Sequence, residues 1–167
     1  MPDDFRGSLL DVPCGTLNLT INKYRNISQI KITCLDYPSD MLDIAKERIA
    51  KHGLFHIFLM QGDISNFPFD NDTFYAILSM NGFHVFPNKD RRYTETAHVL
   101  KPGSMFLACF YIKGEYNRSD FVVNSILAKK AGLLHLSKQK TKYYLCYKTI
   151  IPRWSSLATR QLYGFAV

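Results

Sequence analysis

Apolar and polar positions along the chain fall into two alternating patterns. Leu9–Val12, Ile30–Leu35, His56–Met60, Phe74–Met80 and Met105–Tyr111 are near-continuous in apolar or β-branched residues, as strands buried on both faces should be. Between them the apolar positions recur at helical spacing. Leu17, Ile21 and Tyr24 mark a first, weak helix. Met41, Leu42, Ala45 and Ile49 form the stripe of a second, opened by Pro38-Ser39-Asp40 with Ser39 as N-cap and stopped by Gly53. Asn88 caps a third, whose inner face carries Tyr93, Ala97 and Leu100 ahead of Pro102-Gly103. The run Phe67-Pro68-Phe69-Asp70-Asn71-Asp72 is loop by its proline and turn formers.

Five such strands alternating with helices predict right-handed βαβ crossovers and a parallel sheet covered on both faces. The expected architecture is a doubly wound α/β fold, one domain over residues 1–167. Past Lys113 the pattern predicts a helix over Ser119–Ala131, another over Thr141–Ile150 and a last strand over Leu162–Val167. No linker, repeat or low-complexity tract interrupts the chain.

Composition narrows the class. With 47% hydrophobic residues in 167, the chain can bury a sizeable core. No run approaches the roughly 18 apolar residues of a membrane span, and Met1–Leu10 lacks the pattern of a secretory signal, so a cytoplasmic protein without a membrane partner is expected. Cys14, Cys34, Cys109 and Cys146 are widely spaced, which indicates neither a disulfide frame nor a metal site; they read as small buried hydrophobes. The net charge of +7 is unevenly placed. Residues 1–120 hold 13 basic against 14 acidic residues, whereas the eight basic residues that follow face no acidic one. Tyr143, Tyr144 and Tyr147 interleave there with Lys140, Lys142 and Lys148, which reads first as the solvated basic face of a helix. Nucleic-acid modification as a function rests on that basic third alone.

In a doubly wound fold, ligands sit beyond the carboxyl ends of the strands, so the residues just after each strand carry the chemistry. After the first comes Cys14-Gly15-Thr16, where glycine lets a ligand approach the backbone and Thr16 or Asn18 can cap the next helix. After the second comes Asp36, at the offset of about 20 residues from which an acid accepts hydrogen bonds from ribose hydroxyls. Gly62-Asp63 follows the third; Asp63 can accept from an adenine amine, with Tyr37 and the backbone at Ile64 bordering the ring. Asn81 follows the fourth strand, and His84 beyond it is the one candidate base near the acceptor side. A dinucleotide pyrophosphate favours Gly-x-Gly-x-x-Gly, and Gly15 stands alone, which argues against a nicotinamide cofactor.

Taken together these stretches resemble the class I S-adenosylmethionine (SAM) dependent methyltransferases, in particular the type 11-like group. Asp11-Val12-Pro13-Cys14-Gly15-Thr16 is similar to the family's glycine motif, Leu35-Asp36-Tyr37-Pro38-Ser39-Asp40-Met41-Leu42 to its acidic strand-end motif and Gly62-Asp63-Ile64 to its adenine motif. Glu95-Thr96-Ala97-His98-Val99-Leu100-Lys101-Pro102-Gly103 is similar to its Glu-x-x-Arg-Val-Leu-Lys-Pro-Gly signature. The resemblance implies a Rossmann-like sheet with an antiparallel last strand, SAM as cofactor, and Asp11, Gly15, Asp36, Tyr37, Asp63, Ile64 and Asn81 around it. It implies a methyltransferase acting on a small-molecule acceptor. Departures from the pattern are Pro13 and Leu17 at glycine positions, Tyr75 at an Asp, His98 at the Arg and Ser104 at a Gly. Leu17 is expected to crowd the methionine end of the donor. With few residues ahead of the first strand, the donor is expected to lack its usual cover and turnover to be weak. Those two features define the alternative, a methyltransferase-like binding module without turnover.

Overall fold

A computed structural model of the chain describes residues 5–83, 88–110 and 144–150. Along the chain lie β1 (Ser8–Asp11), α1 (Ile21–Tyr24), β2 (Lys31–Asp36), α2 (Ser39–His52), β3 (Ile57–Gln61), β4 (Phe74–Met80), α3 (Lys89–Val99), β5 (Leu100–Phe110) and β6 (Tyr144–Ile150). They form one sheet in the order β3-β2-β1-β4-β5-β6. The first five strands are parallel and β6 runs antiparallel along the edge of β5, with Phe110 opposite Tyr144. From β1 the chain winds outward through β2 to β3, then crosses back to β4 on the other side of β1. The strand order therefore reverses between β1 and β4, where a doubly wound sheet opens its ligand crevice.

Successive strand residues point to opposite faces, and each face has its own core. Leu9, Ile32, Cys34 and Ala76 face one way, under Tyr24, Ile27 and the Ala45 of α2. Leu10, Val12, Leu35, Ile77, Phe106 and Ala108 face the other, under Tyr93 and Ala97 of α3. Double burial explains the unbroken apolar runs of β1 and β2, whereas β3, expected to be buried on both faces, is an edge strand that leaves Phe58 and Met60 exposed.

Several local expectations are corrected. The helix after the glycine turn is a single turn, since Leu17 adopts a left-handed φ of 59° and a chain of short turns precedes Ile21. Its N-cap is Thr20 rather than Thr16 or Asn18, and the Thr20 hydroxyl is turned to Asp11 instead of capping. Ser39 lies inside α2; Pro38 is the N-cap and no side chain caps it. Of the α2 stripe Ala45 is buried, Leu42 and Ile49 pack partly, and Met41 is exposed. Gly53 does stop the helix, at φ 63°. Asn88 caps α3 by accepting the Arg91 N–H at 3.0 Å, but Leu100 already belongs to β5, which continues through Pro102-Gly103. The helix expected over Thr141–Ile150 is instead the strand β6 over Tyr144–Ile150, and aromatic and β-branched residues beside the open edge of β5 account for that. The helix expected over Ser119–Ala131 and the strand over Leu162–Val167 lie outside the described residues. Among the described residues no helix is long and apolar enough to cross a membrane, and no cluster of metal ligands occurs.

Candidate functional site

The crevice is built first from the turn that ends β1. The Leu17 N–H donates to the Cys14 carbonyl at 3.1 Å, closing a four-residue turn with Gly15 at φ 54° in the first central position. A Cβ on Gly15 would meet nothing within 4 Å, so the missing side chain leaves an open approach to the backbone. Leu17 shares the left-handed conformation yet sends its side chain into the core beneath, where it is 1% exposed. It does not crowd the crevice, which corrects the expectation and removes one support of the reading without turnover. Pro13 is accommodated by the next strand: a Cβ on Gly82, just after β4, would collide with the Pro13 ring.

Asp11 closes the floor of this region. It is fully buried, and its Oδ2 accepts the Tyr24 hydroxyl at 2.7 Å and the Thr20 hydroxyl at 3.2 Å, while Oδ1 has no partner. Burial drives its pKa up to about 7, against the pull of the two hydroxyls and with help from the charge of Asp36. The Tyr24 phenol is pushed up as well, by burial and then by Asp11.

Asp36 ends β2 beside the turn. Its Oδ2 accepts the Gly15 N–H and its Oδ1 the Tyr37 N–H at 2.8 Å, so the acid and the glycine turn are directly joined. Burial raises its pKa more than those two bonds lower it. A carboxylate has about four lone-pair sites, and two remain here for hydroxyl donors. Tyr37 is 67% exposed at the rim. Asp63 is exposed too, and its Oδ1 accepts the Ser65 N–H at 2.7 Å in a local turn. Ile64 is buried in the second core and can border a ligand through its backbone alone. Asn81 sits exposed at φ 58°, its N–H donating to the Cys109 carbonyl at 2.8 Å. The structure thus gathers Asp11, Gly15, Asp36 and Tyr37 around one turn, with Asn81 beyond the adjacent strand end. His84 lies outside the described residues.

One contributor escaped the sequence reading. Arg48 of α2 donates Nη1 to the Thr16 carbonyl at 2.8 Å and to the Thr16 hydroxyl at 3.0 Å. In sequence it is one charge among several on a helix, and only its spacing from Met41 and Ile44 places it on one face with them.

An open glycine turn tied to a strand-end acid, at the switch point of a mostly parallel sheet, belongs to a doubly wound α/β domain. Residues 9–103 match the methyltransferase domain family, and the chain belongs to that family. It is 36% identical over 97 residues to a demethylmenaquinone methyltransferase of Staphylococcus epidermidis, a match covering 58% of this chain and 39% of that protein. Over 99 residues it is 32% identical to a fatty-acid O-methyltransferase of Mycolicibacterium smegmatis, covering 59% and 35%. The match therefore spans well under half the length of these relatives. A SAM-dependent methyltransferase from Aquifex aeolicus shares the fold, with a TM-score of 0.61 at 21% identity over 66% of this chain and 59% of that one. The fold is that of the class I SAM methyltransferases, and the crevice fits the donor on two counts: Gly15 leaves room above the backbone, and Asp36 keeps free lone pairs beside it.

Proposed function

We propose that this chain binds SAM at the carboxyl ends of β1 and β2 and transfers its methyl group to a small-molecule acceptor. The observation that carries the reading is the join between Asp36 and Gly15, which sets a ribose acceptor against a turn with no side chain in the way. Asp36 would take the ribose hydroxyls, Tyr37 and the backbone at Ile64 would border the adenine, Asp63 would accept from its amine, and Asn81 would line the side toward β4. Asp11 would act from below, fixing Tyr24 and Thr20 under the turn rather than touching the donor.

The bound donor supplies an activated methyl group on a sulfonium. Its transfer is an in-line displacement, so the protein's part is alignment and exclusion of water, with a base only where the acceptor must lose a proton. His84 is the proposed base for such acceptors. The two relatives at similar identity act, by their names, on a quinone and on a fatty acid, and that spread supports no narrower acceptor than a small molecule.

Calorimetric titration with SAM, S-adenosylhomocysteine and NAD tests the donor site. Both sulfur compounds should bind and raise the melting midpoint by mass action, whereas NAD should not. Asp36→Ala should weaken SAM binding by about 1.5–3 kcal/mol, the worth of a hydrogen bond to a charged group. Unchanged affinity in that variant would dismiss the site.

A further inference from the structure

The turn from Cys14 to Leu17 is an awkward piece of backbone. Gly15 and Leu17 both lie in the left-handed region, and for leucine that conformation persists only where surroundings over-determine it. Its anchors are few and identifiable. From below, the Leu17 side chain is buried. From the side, three polar contacts come from one stretch of chain, β2 with α2: the Leu35 carbonyl accepts the Cys14 N–H at 3.1 Å, the Asp36 carboxylate accepts the Gly15 N–H, and Arg48 holds both oxygens of Thr16.

Leu35 and Asp36 hold the entry to the turn, the buried Leu17 holds its exit, and Arg48 is the polar side chain that holds Thr16 between them. Hydrogen bonds donated by a guanidinium are charge-assisted and stronger than neutral ones. Half-buried on α2, it is also less screened than a surface ion. We propose that Arg48 is a positioning residue for the SAM site: by holding Thr16 it sets the shape of the Gly15 cradle without touching the donor. This rests on the donor reading given above. Because Asp36 and Arg48 lie on consecutive elements β2 and α2, a donor gripping Asp36 and a turn gripped by Arg48 are referred to the same stretch of chain.

The test compares the wild-type chain with Arg48→Met, Arg48→Lys and Thr16→Val, measuring SAM and S-adenosylhomocysteine affinity by calorimetry and the ligand-free melting midpoint in parallel. Arg48→Met should lose SAM affinity about tenfold and S-adenosylhomocysteine affinity by the same factor, since the effect passes through the turn and not through the sulfonium. Arg48→Lys, with a point charge that still reaches an oxygen, should recover most of it. Thr16→Val removes one of the two acceptors and should fall between; it carries the test should Arg48→Met fail to fold. Affinity unchanged in the variants, or lost only in step with the ligand-free midpoint and not recovered by lysine, would overturn the role of Arg48 while leaving the donor site standing. Failure of the wild-type chain to bind either compound would overturn both.

Discussion

At the scale of single residues, Leu17 is the most instructive position. It stands at a glycine position of the motif this stretch resembles, adopts a left-handed φ of 59°, and offsets that strain by burying its side chain to 1% exposure. Relief of the left-handed conformation is worth about 1–2 kcal/mol, whereas removing a buried leucine costs about 2–5 kcal/mol. Leu17→Gly should therefore destabilise the chain by about 2 kcal/mol in urea unfolding and leave SAM affinity of the folded protein unchanged. Tighter SAM binding in the variant would return Leu17 to the crevice wall. Gly15 and Asp36 were legible in the sequence because their chemistry is local: a strand end, a turn, an acid at a fixed offset. Arg48 and the pairing of Pro13 with Gly82 were not, because each is made between segments distant in sequence, and no single-chain spacing encodes which charge on a helix faces which carbonyl.

Elements carried their own signals with uneven success. The strands β1 and β2 and the helices α2 and α3 were readable because double burial and a 3.6-residue period leave strong patterns, and β3 and β4 because their sequences stay apolar although Phe58, Met60 and Tyr75 are exposed. Two elements were misread for opposite reasons. α1 shrinks to one turn because Leu17 takes a left-handed φ and short turns follow it up to Ile21, and β6 extends as a strand because an open sheet edge outweighs a charge pattern that suits a helix. Contact between elements also governs the strand ends. Pro13 after β1 and Gly82 after β4 fit only while the second has no side chain, so Gly82→Ala forces the two strand ends apart. Overpacking of this kind costs about 1–3 kcal/mol, and the melting midpoint of Gly82→Ala should fall accordingly. Pro13→Ala in the same background should restore part of the loss; no restoration would place the strain elsewhere.

For the molecule as a whole, Asp11 makes stability depend on pH in an unusual direction. Its folded-state pKa of about 7 lies above the unfolded value near 3.9, so the folded chain holds the proton more tightly. The contribution is fully present below pH 4, declines as pH rises, and is lost by about pH 7, a span of roughly 4 kcal/mol from the one group. Asp11→Asn should flatten that slope, raising stability at pH 8 more than at pH 5 in parallel denaturant titrations. An unaltered slope would mean that Asp11 does not titrate between those values. The strand order has a consequence in time. β1 is made first, yet one of its two neighbours, β4, leaves the ribosome more than sixty residues later, as the register of Leu9 with Ala76 records. Until then the central strand has a bare edge, and Asn81 and Gly82 are not yet in place beside the end of β1. On the donor reading proposed above, a nascent chain that has reached only β3 holds the glycine turn and its acid beside an unpaired edge of β1, so SAM would stabilise the protein being synthesised only once β4 has emerged.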